Sequence, residues 1–132
     1  MSITTNDRYQ LHIGGKSVPA SSGERFTTSD PATEDSIARV AAANDDDVDR
    51  AVTAAREAFP AWRSKTPAER GRTLQRVVTT LRENVEDLAV IESRDQGKPL
   101  SQARSDVEKA ARYFEYYAGA ADKLEGNSIP LD

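Results

Sequence analysis

The sequence predicts an α+β fold in which a short β-hairpin and edge strands precede three amphipathic helices. Residues 9–41 alternate apolar and polar side chains and are cut every few positions by turn formers, as short half-buried strands require. Residues 44–126 instead repeat apolar residues at i, i+3, i+4 and i+7 between helix start and stop signals, which gathers each set on one helix face. Size sets the frame: 132 residues and 14.4 kDa suffice for one ordinary domain and are too few for two.

Tyr9-Gln10-Leu11-His12-Ile13 alternates, Gly14-Gly15 turns, and Lys16-Ser17-Val18 resumes the alternation, so a β-hairpin is expected over residues 9–19 after a flexible N-terminus over residues 1–8. Ser21-Ser22-Gly23-Glu24 makes the next turn. Phe26-Thr27-Thr28-Ser29-Asp30 then reads as a strand, Pro31-Ala32-Thr33-Glu34-Asp35 breaks it, and Ile37-Ala38-Arg39-Val40-Ala41 gives one more. These strands are brief and partly polar, which suits the edge of a sheet rather than its centre.

Asn44 can cap a first helix whose opening turn, Asp45-Asp46-Asp47, is acidic as the helix dipole favours. Its apolar face is Val48, Ala51, Val52, Ala55, Ala58, Phe59 and Trp62, and Pro60 predicts fraying near its end. A long second helix opens on the capping box Thr66-Pro67-Ala68-Glu69: the Thr66 hydroxyl accepts from a first-turn amide, Pro67 sits where no donor is needed, and Glu69 reaches back. Its stripe runs unbroken through Leu74, Val77, Val78, Leu81, Val85, Leu88 and Ile91. Gly97 supplies a left-handed stop and Pro99 forbids continuation. Ser101 can cap a third helix bearing Ala103, Val107, Ala110, Ala111, Phe114, Tyr117, Ala118, Ala121 and Leu124, closing at Gly126. Tyr113, Phe114, Tyr116 and Tyr117 spread over more than one face, so this helix calls for contacts on two sides.

Composition narrows the function classes. With no cysteine there is no disulfide framework, thiolate metal site or cysteine nucleophile within these residues. The N-terminus lacks an apolar signal core, and no run approaches the roughly 18 apolar residues of a membrane helix, so a soluble cytoplasmic protein is expected, with no membrane partner. A net charge of −4 disfavours a nucleic-acid partner, and Glu69, Glu83, Glu86 and Asp87 interrupt the row Arg63, Arg70, Arg72, Arg76 and Arg82. Gly15-Lys16-Ser17 resembles the end of a phosphate-binding loop, but Gln10 stands where that motif needs glycine and Val18-Pro19 follows where it needs a helix. His12 is the only histidine and has no second base or ligand near it in sequence, so it reads as structural. The residues by themselves offer no catalytic and no cofactor-binding group.

Several segments nevertheless fall in a telling order: Leu11-His12-Ile13-Gly14-Gly15-Lys16, Asp30-Pro31-Ala32-Thr33, Phe59-Pro60-Ala61-Trp62, Arg70, Asp95-Gln96-Gly97-Lys98-Pro99, Tyr116-Tyr117-Ala118-Gly119-Ala120-Ala121-Asp122-Lys123 and Gly126-Asn127-Ser128-Ile129-Pro130. Together they resemble the start of an NAD(P)-dependent aldehyde dehydrogenase, over residues 9–132. The resemblance implies an incomplete piece of the α/β coenzyme-binding domain, an N-terminal fragment of an enzyme that oxidises an aldehyde to a carboxylic acid with NAD or NADP. In that family a cysteine thiolate attacks the aldehyde, hydride passes to the nicotinamide, and a glutamate activates the releasing water. The segments carrying those groups lie beyond Asp132, so this chain is expected to be inactive alone and to bind neither NAD(P) nor a cation tightly. Its expected partners are the remainder of such a chain, or itself. Some members also hold a monovalent cation, and the matching positions are Thr28, Ser29 and Asp95, whose oxygens suit a hard ion. The alternative to all of this is a free-standing helical interaction module without catalysis.

Overall fold

A computed structural model describes residues 8–123 and Gly126. Gly14 and Gly15 have φ of 59° and 77°, the left-handed pair that a tight hairpin turn needs, and they fold strand β2 (Leu11–Ile13) back on β3 (Lys16–Val18). Leu11 faces Val18 and Ile13 faces Lys16. The hairpin is narrower than the alternation suggested. Residues 8 and 9 leave it to form β1 (Arg8–Tyr9), which pairs in parallel with β5 (Ser36–Ala41), while β4 (Arg25–Ser29) pairs antiparallel on the other side of β5. The order β1-β5-β4 makes β4 an outer strand. Arg25 ties the layers: its guanidinium donates to the Tyr9 carbonyl at 3.0 Å and to Gln10 Oε1 at 2.9 Å. Of the flexible lead-in expected over residues 1–8, only Arg8 falls within the described residues, and it pairs with Arg39.

The Pro31 turn is closed by its own side chains. Asp30 Oδ1 accepts from the Ala32 amide at 2.8 Å, the Asp30 carbonyl accepts from the Glu34 amide at 2.8 Å, and Glu34 completes the reversal with φ 64°.

Helix α1 (Asp45–Arg63) begins in a capping box of Asn44 and Asp47, and it passes through Pro60 without the expected fraying. Proline removes one donor there, but the Ser64 amide still donates to the Pro60 carbonyl at 3.0 Å and closes the last turn. The long helix expected from Thr66 to Gly97 is two helices, α2 (Pro67–Glu83) and α3 (Val85–Gln96), so the described residues hold four helices rather than three. Asn84 is the break, with φ −120° and ψ 21°. Thr79 and Thr80 hydroxyls donate to the Gln75 and Arg76 carbonyls, and the Asn84 side-chain amide donates to the Thr80 carbonyl at 2.8 Å. Short polar side chains competing for carbonyls bend and end helices. The apolar period survives because the interruption costs a single residue.

Helix α4 (Leu100–Ala120) starts after Pro99, not at a Ser101 cap, because the Pro99 carbonyl already accepts from the Gln102 and Ala103 amides. It ends six residues before Gly126, and Leu124 and the tail from Asn127 lie outside the described residues.

Small residues make the core. Val78 of α2, Ala89 of α3 and Ala103, Val107 and Ala111 of α4 are buried together with Ala38 and Ala41 of β5. Gly71 lets α2 and α4 meet backbone to backbone: a Cβ there would lie 2.7 Å from the Ala118 carbonyl oxygen. Ion pairs rim the packing of α4: Arg82 of α2 donates to both Glu115 oxygens at 3.0 and 2.9 Å, and Arg104 pairs with Glu86 of α3 at 2.8 Å. The hydrogen bonds from Arg82 and Arg104, more than the charges, hold the Glu115 and Glu86 carboxyls below the usual glutamate range.

Two apolar faces stay uncovered. On α1, Val48, Val52, Phe59 and Trp62 are all exposed, Phe59 by 57%; on α4, Tyr113 and Tyr116 are 69% and 70% exposed. Among the described residues no helix is long and apolar enough to cross a membrane.

Candidate functional site

The strand-to-helix junction brings together two of the three residues singled out for a cation. Thr28 lies near the end of β4 and Asp95 on the last turn of α3, and the Thr28 hydroxyl donates to Asp95 Oδ1 at 3.1 Å across 67 residues of sequence. Ser29 follows immediately. The β4–β5 register slips between Thr28 and Ser29, with Thr28 opposite Ala38 and Ser29 opposite Ser36, so the ladder is irregular at the point where its carbonyls come closest in sequence to the site. Thr28 and Asp95 share a cleft with Tyr9, Val40, Val90 and Arg94. Asp95 and Thr28 supply a carboxylate and a hydroxyl oxygen, the donor type a hard ion takes, whereas Ser29 does not line the cleft and Ile37, Ala38, Ile91 and the cationic Arg94 do. Asp95 and Ser29 remain exposed.

Both sides of this junction are held by tight turns. Gly97 ends α3 with φ 69° and donates from its amide to the Ser93 carbonyl at 2.9 Å. Ser93 Oγ donates to the Lys98 carbonyl at 2.8 Å, and the Lys98 ammonium is clasped between Glu92 and Asp106. Its hydrogen bonds to Glu92 and then Asp106 raise the Lys98 pKa; those from Lys109 and Lys98 lower that of Asp106. A Cβ on Gly97 would come within 2.7 Å of Pro31 Cγ, so the β4 turn and the α3 terminus touch with no space for a methyl group. That contact joins residues 66 apart in sequence and carries no local pattern, so sequence reading missed it.

Three of the four described helices open on acidic first turns; α4, which follows Pro99, has no acidic residue in its own. Phosphates favour helix N-termini with free amides behind a glycine-rich turn. Here the first turn of α1 holds Asp45, Asp46 and Asp47, that of α2 is closed by Glu69, and that of α3 carries Glu86 and Asp87. The Thr66 amide and hydroxyl donate to Glu69 Oε2 at 2.7 and 2.8 Å, which holds that carboxyl below its usual range. Gly14-Gly15 leads into β3, not a helix. His12 is exposed on β2, and no group of three or more His, Cys, Asp or Glu is placed to hold a metal among the described residues.

Asp47 is the other polar residue that sequence reading undervalued. It is 1% exposed, and its carboxylate accepts from the Ser21 amide at 3.2 and 3.1 Å, from the Asn44 amide at 3.3 Å and from Arg50 at 3.0 Å. Asn44, spaced three residues before it, was the available signal, since that spacing writes a capping box as well as an acidic first turn.

Comparison with known proteins places this geometry in context. A sequence model of the aldehyde dehydrogenase family matches residues 18–132. A protein from Burkholderia cenocepacia assigned to the aldehyde dehydrogenases superposes with a TM-score of 0.89 at 44% identity, over 93% of this chain and 26% of that one. The protein HpcC from Thermus thermophilus gives a TM-score of 0.92 at 38% identity, over 97% of this chain and 25% of that one. The NAD+ complex of an aldehyde dehydrogenase from Bacillus cereus gives 0.91 at 37%, over 97% and 27%. The chain therefore spans about a quarter of the length of the solved structures it matches.

Proposed function

The chain belongs to the aldehyde dehydrogenase family, and from that premise we propose that it is the N-terminal scaffold portion of an NAD(P)-dependent enzyme that oxidises an aldehyde to a carboxylic acid. Residues 9–132 are then the first part of a larger α/β coenzyme-binding domain. The observation that carries this reading is the match of nearly the whole chain to a quarter of solved aldehyde dehydrogenase chains, combined with its lack of any cysteine. A family that works through a thiolate cannot do its chemistry with these residues. The nicotinamide cofactor supplies the hydride acceptor when bound to the whole enzyme, and no residue described here touches it in this reading. The reading includes a cytoplasmic location and, as partner, the remainder of an aldehyde dehydrogenase chain.

The same reading gives Thr28, Ser29 and Asp95 a role as a monovalent-cation site, with the Asp95 carboxylate and strand carbonyls at Thr28 and Ser29 as donors and further oxygens from water or the rest of the enzyme. The Thr28–Asp95 hydrogen bond supports it by bringing strand and helix to within 3.1 Å.

The purified chain mixed with NAD+ or NADP+ and a panel of aldehydes is expected to form no reduced cofactor. Reduced cofactor whose formation tracks the chain through purification would overturn the scaffold reading.

A further inference from the structure

We propose that α1 is the interface of a symmetric dimer in which the α1 helices of two copies of this chain lie antiparallel; the inference goes beyond the scaffold reading and does not rest on it. The helix divides its residues between two stripes. One, Asp47, Ala51 and Ala54, is turned toward the rest of the chain: Asp47 accepts from the Ser21 amide, and a Cβ on Gly14 of the hairpin would lie 3.7 Å from Ala54 Cβ. All three are buried or half-buried. The other stripe, Val48, Val52, Ala55, Phe59 and Trp62, is exposed along its whole length. The small residues are thus spent inside the chain and the large ones left outside, the reverse of what burial within a single copy favours.

Spacing and charge say what covers the second stripe. From Val48 to Trp62 its steps are four, three, four and three residues, the alternation of core positions in a two-helix coiled coil. Asp49, Arg56 and Arg63 follow one another at seven-residue intervals and so share one flank of that stripe, acidic where the helix begins and basic where it ends. Parallel copies would set like charge against like. Antiparallel copies set Asp49 of each copy against the arginine end of the other and oppose the helix dipoles as well. Among the described residues the ion pairs of α1 take up only Asp47 and Arg50, so this flank is available to a second copy. A two-fold axis crossing α1 between Val52 and Ala55 makes both sets of contacts at once.

The test is sedimentation of the 132-residue chain over a dilution series, beside the fluorescence of Trp62, its only tryptophan. Association is expected to rise with concentration and to move Trp62 emission to shorter wavelength in step. Phe59→Ser is expected to weaken the dimer by roughly 10-fold or more, as truncation of a buried aromatic anchor does. Asp49→Arg and Arg63→Asp are each expected to weaken it by roughly 3-fold, and the two together in one chain to restore the affinity of wild type. Because the chain has no cysteine, single cysteines report orientation: Ala55→Cys, near the axis, is expected to give a disulfide-linked dimer on mild oxidation, and Val48→Cys, near the end, far less. Equal linkage at the two positions would overturn the antiparallel arrangement. A dimer indifferent to Phe59→Ser and to both charge reversals would place the contact on another face and overturn the proposal. So would a monomer at every concentration: solvated Trp62 emission would then leave the remainder of an aldehyde dehydrogenase chain as the occupant of the stripe, and short-wavelength emission would mean that the stripe closes within one copy. Should the charge-reversed chains fail to fold, the two cysteine variants decide. Aldehyde oxidation, which tests the scaffold reading, is measured separately and is untouched by any of these outcomes.

Discussion

Asp47 shows how one buried carboxylate can organise a junction. Burial by itself pushes its carboxyl up, but the Ser21 and Asn44 amides and then Arg50 outweigh that and bring it below the usual aspartate range. Since folding lowers this pKa, the contribution to stability is complete above the ordinary aspartate value and is lost as pH falls through the lower, folded value. Asp47→Asn is therefore expected to lower the melting temperature at neutral pH, with the gap to wild type closing only below about pH 4. Melts of both proteins from neutral to strongly acidic buffer check this, and a gap that stays constant throughout would show that the charge is irrelevant. Residues of this kind were only half legible in the sequence. The spacing of Asn44 and Asp47 could be seen, but the approach of Ser21 could not, because no local rule joins positions 26 apart. Gly71 was likewise silent: its reason for being glycine is the Ala118 carbonyl on another helix.

At the scale of elements, the signals that stood up were those whose physics is local. The capping box at Thr66 is present, with the Glu69 amide donating to the Thr66 hydroxyl at 3.3 Å, and the Gly97 stop is a left-handed residue as read. Thr66→Ala is expected to cost about 1 kcal/mol and Thr66→Ser much less, measured by chemical denaturation. Equal losses in the two variants would mean that the methyl group, not the hydroxyl, matters. The split at Asn84 escaped notice because apolar spacing reports which face is buried and is blind to a one-residue interruption. The polar residues Thr79, Thr80 and Asn84 were the overlooked warning. At the proposed cation site, Thr28 and Asp95 could be named only through family resemblance, since nothing in their spacing predicts that they meet.

For the whole molecule, the chief fact is how little of the apolar surface finds a partner. The α2–α3 stripe is mostly half-buried, with Val78 its one well-covered member, and the α1 and α4 faces stand open. Each large side chain gains about 1.5 to 3 kcal/mol on full burial, against the roughly 5 to 15 kcal/mol that holds a domain together, so these faces decide whether the chain stands alone. The isolated chain is expected to self-associate through them and to bind dyes that report exposed apolar surface. Replacing Phe59 and Trp62 of α1, or Tyr113 and Tyr116 of α4, by serine is expected to reduce association in sedimentation experiments. A strict monomer with no dye binding and a sharp melt would speak for a self-sufficient module instead. The arrangement of contacts also bears on the order of events at the ribosome. All three strand pairings close within residues 8–41, and the principal helix packing closes within residues 67–120. A growing chain can thus complete its sheet before the helices have emerged. The Thr28–Asp95 hydrogen bond and the Pro31–Gly97 contact are the seam between these two halves, and they must wait until α3 is out, so this seam is sewn late in synthesis, after each half has taken its own shape.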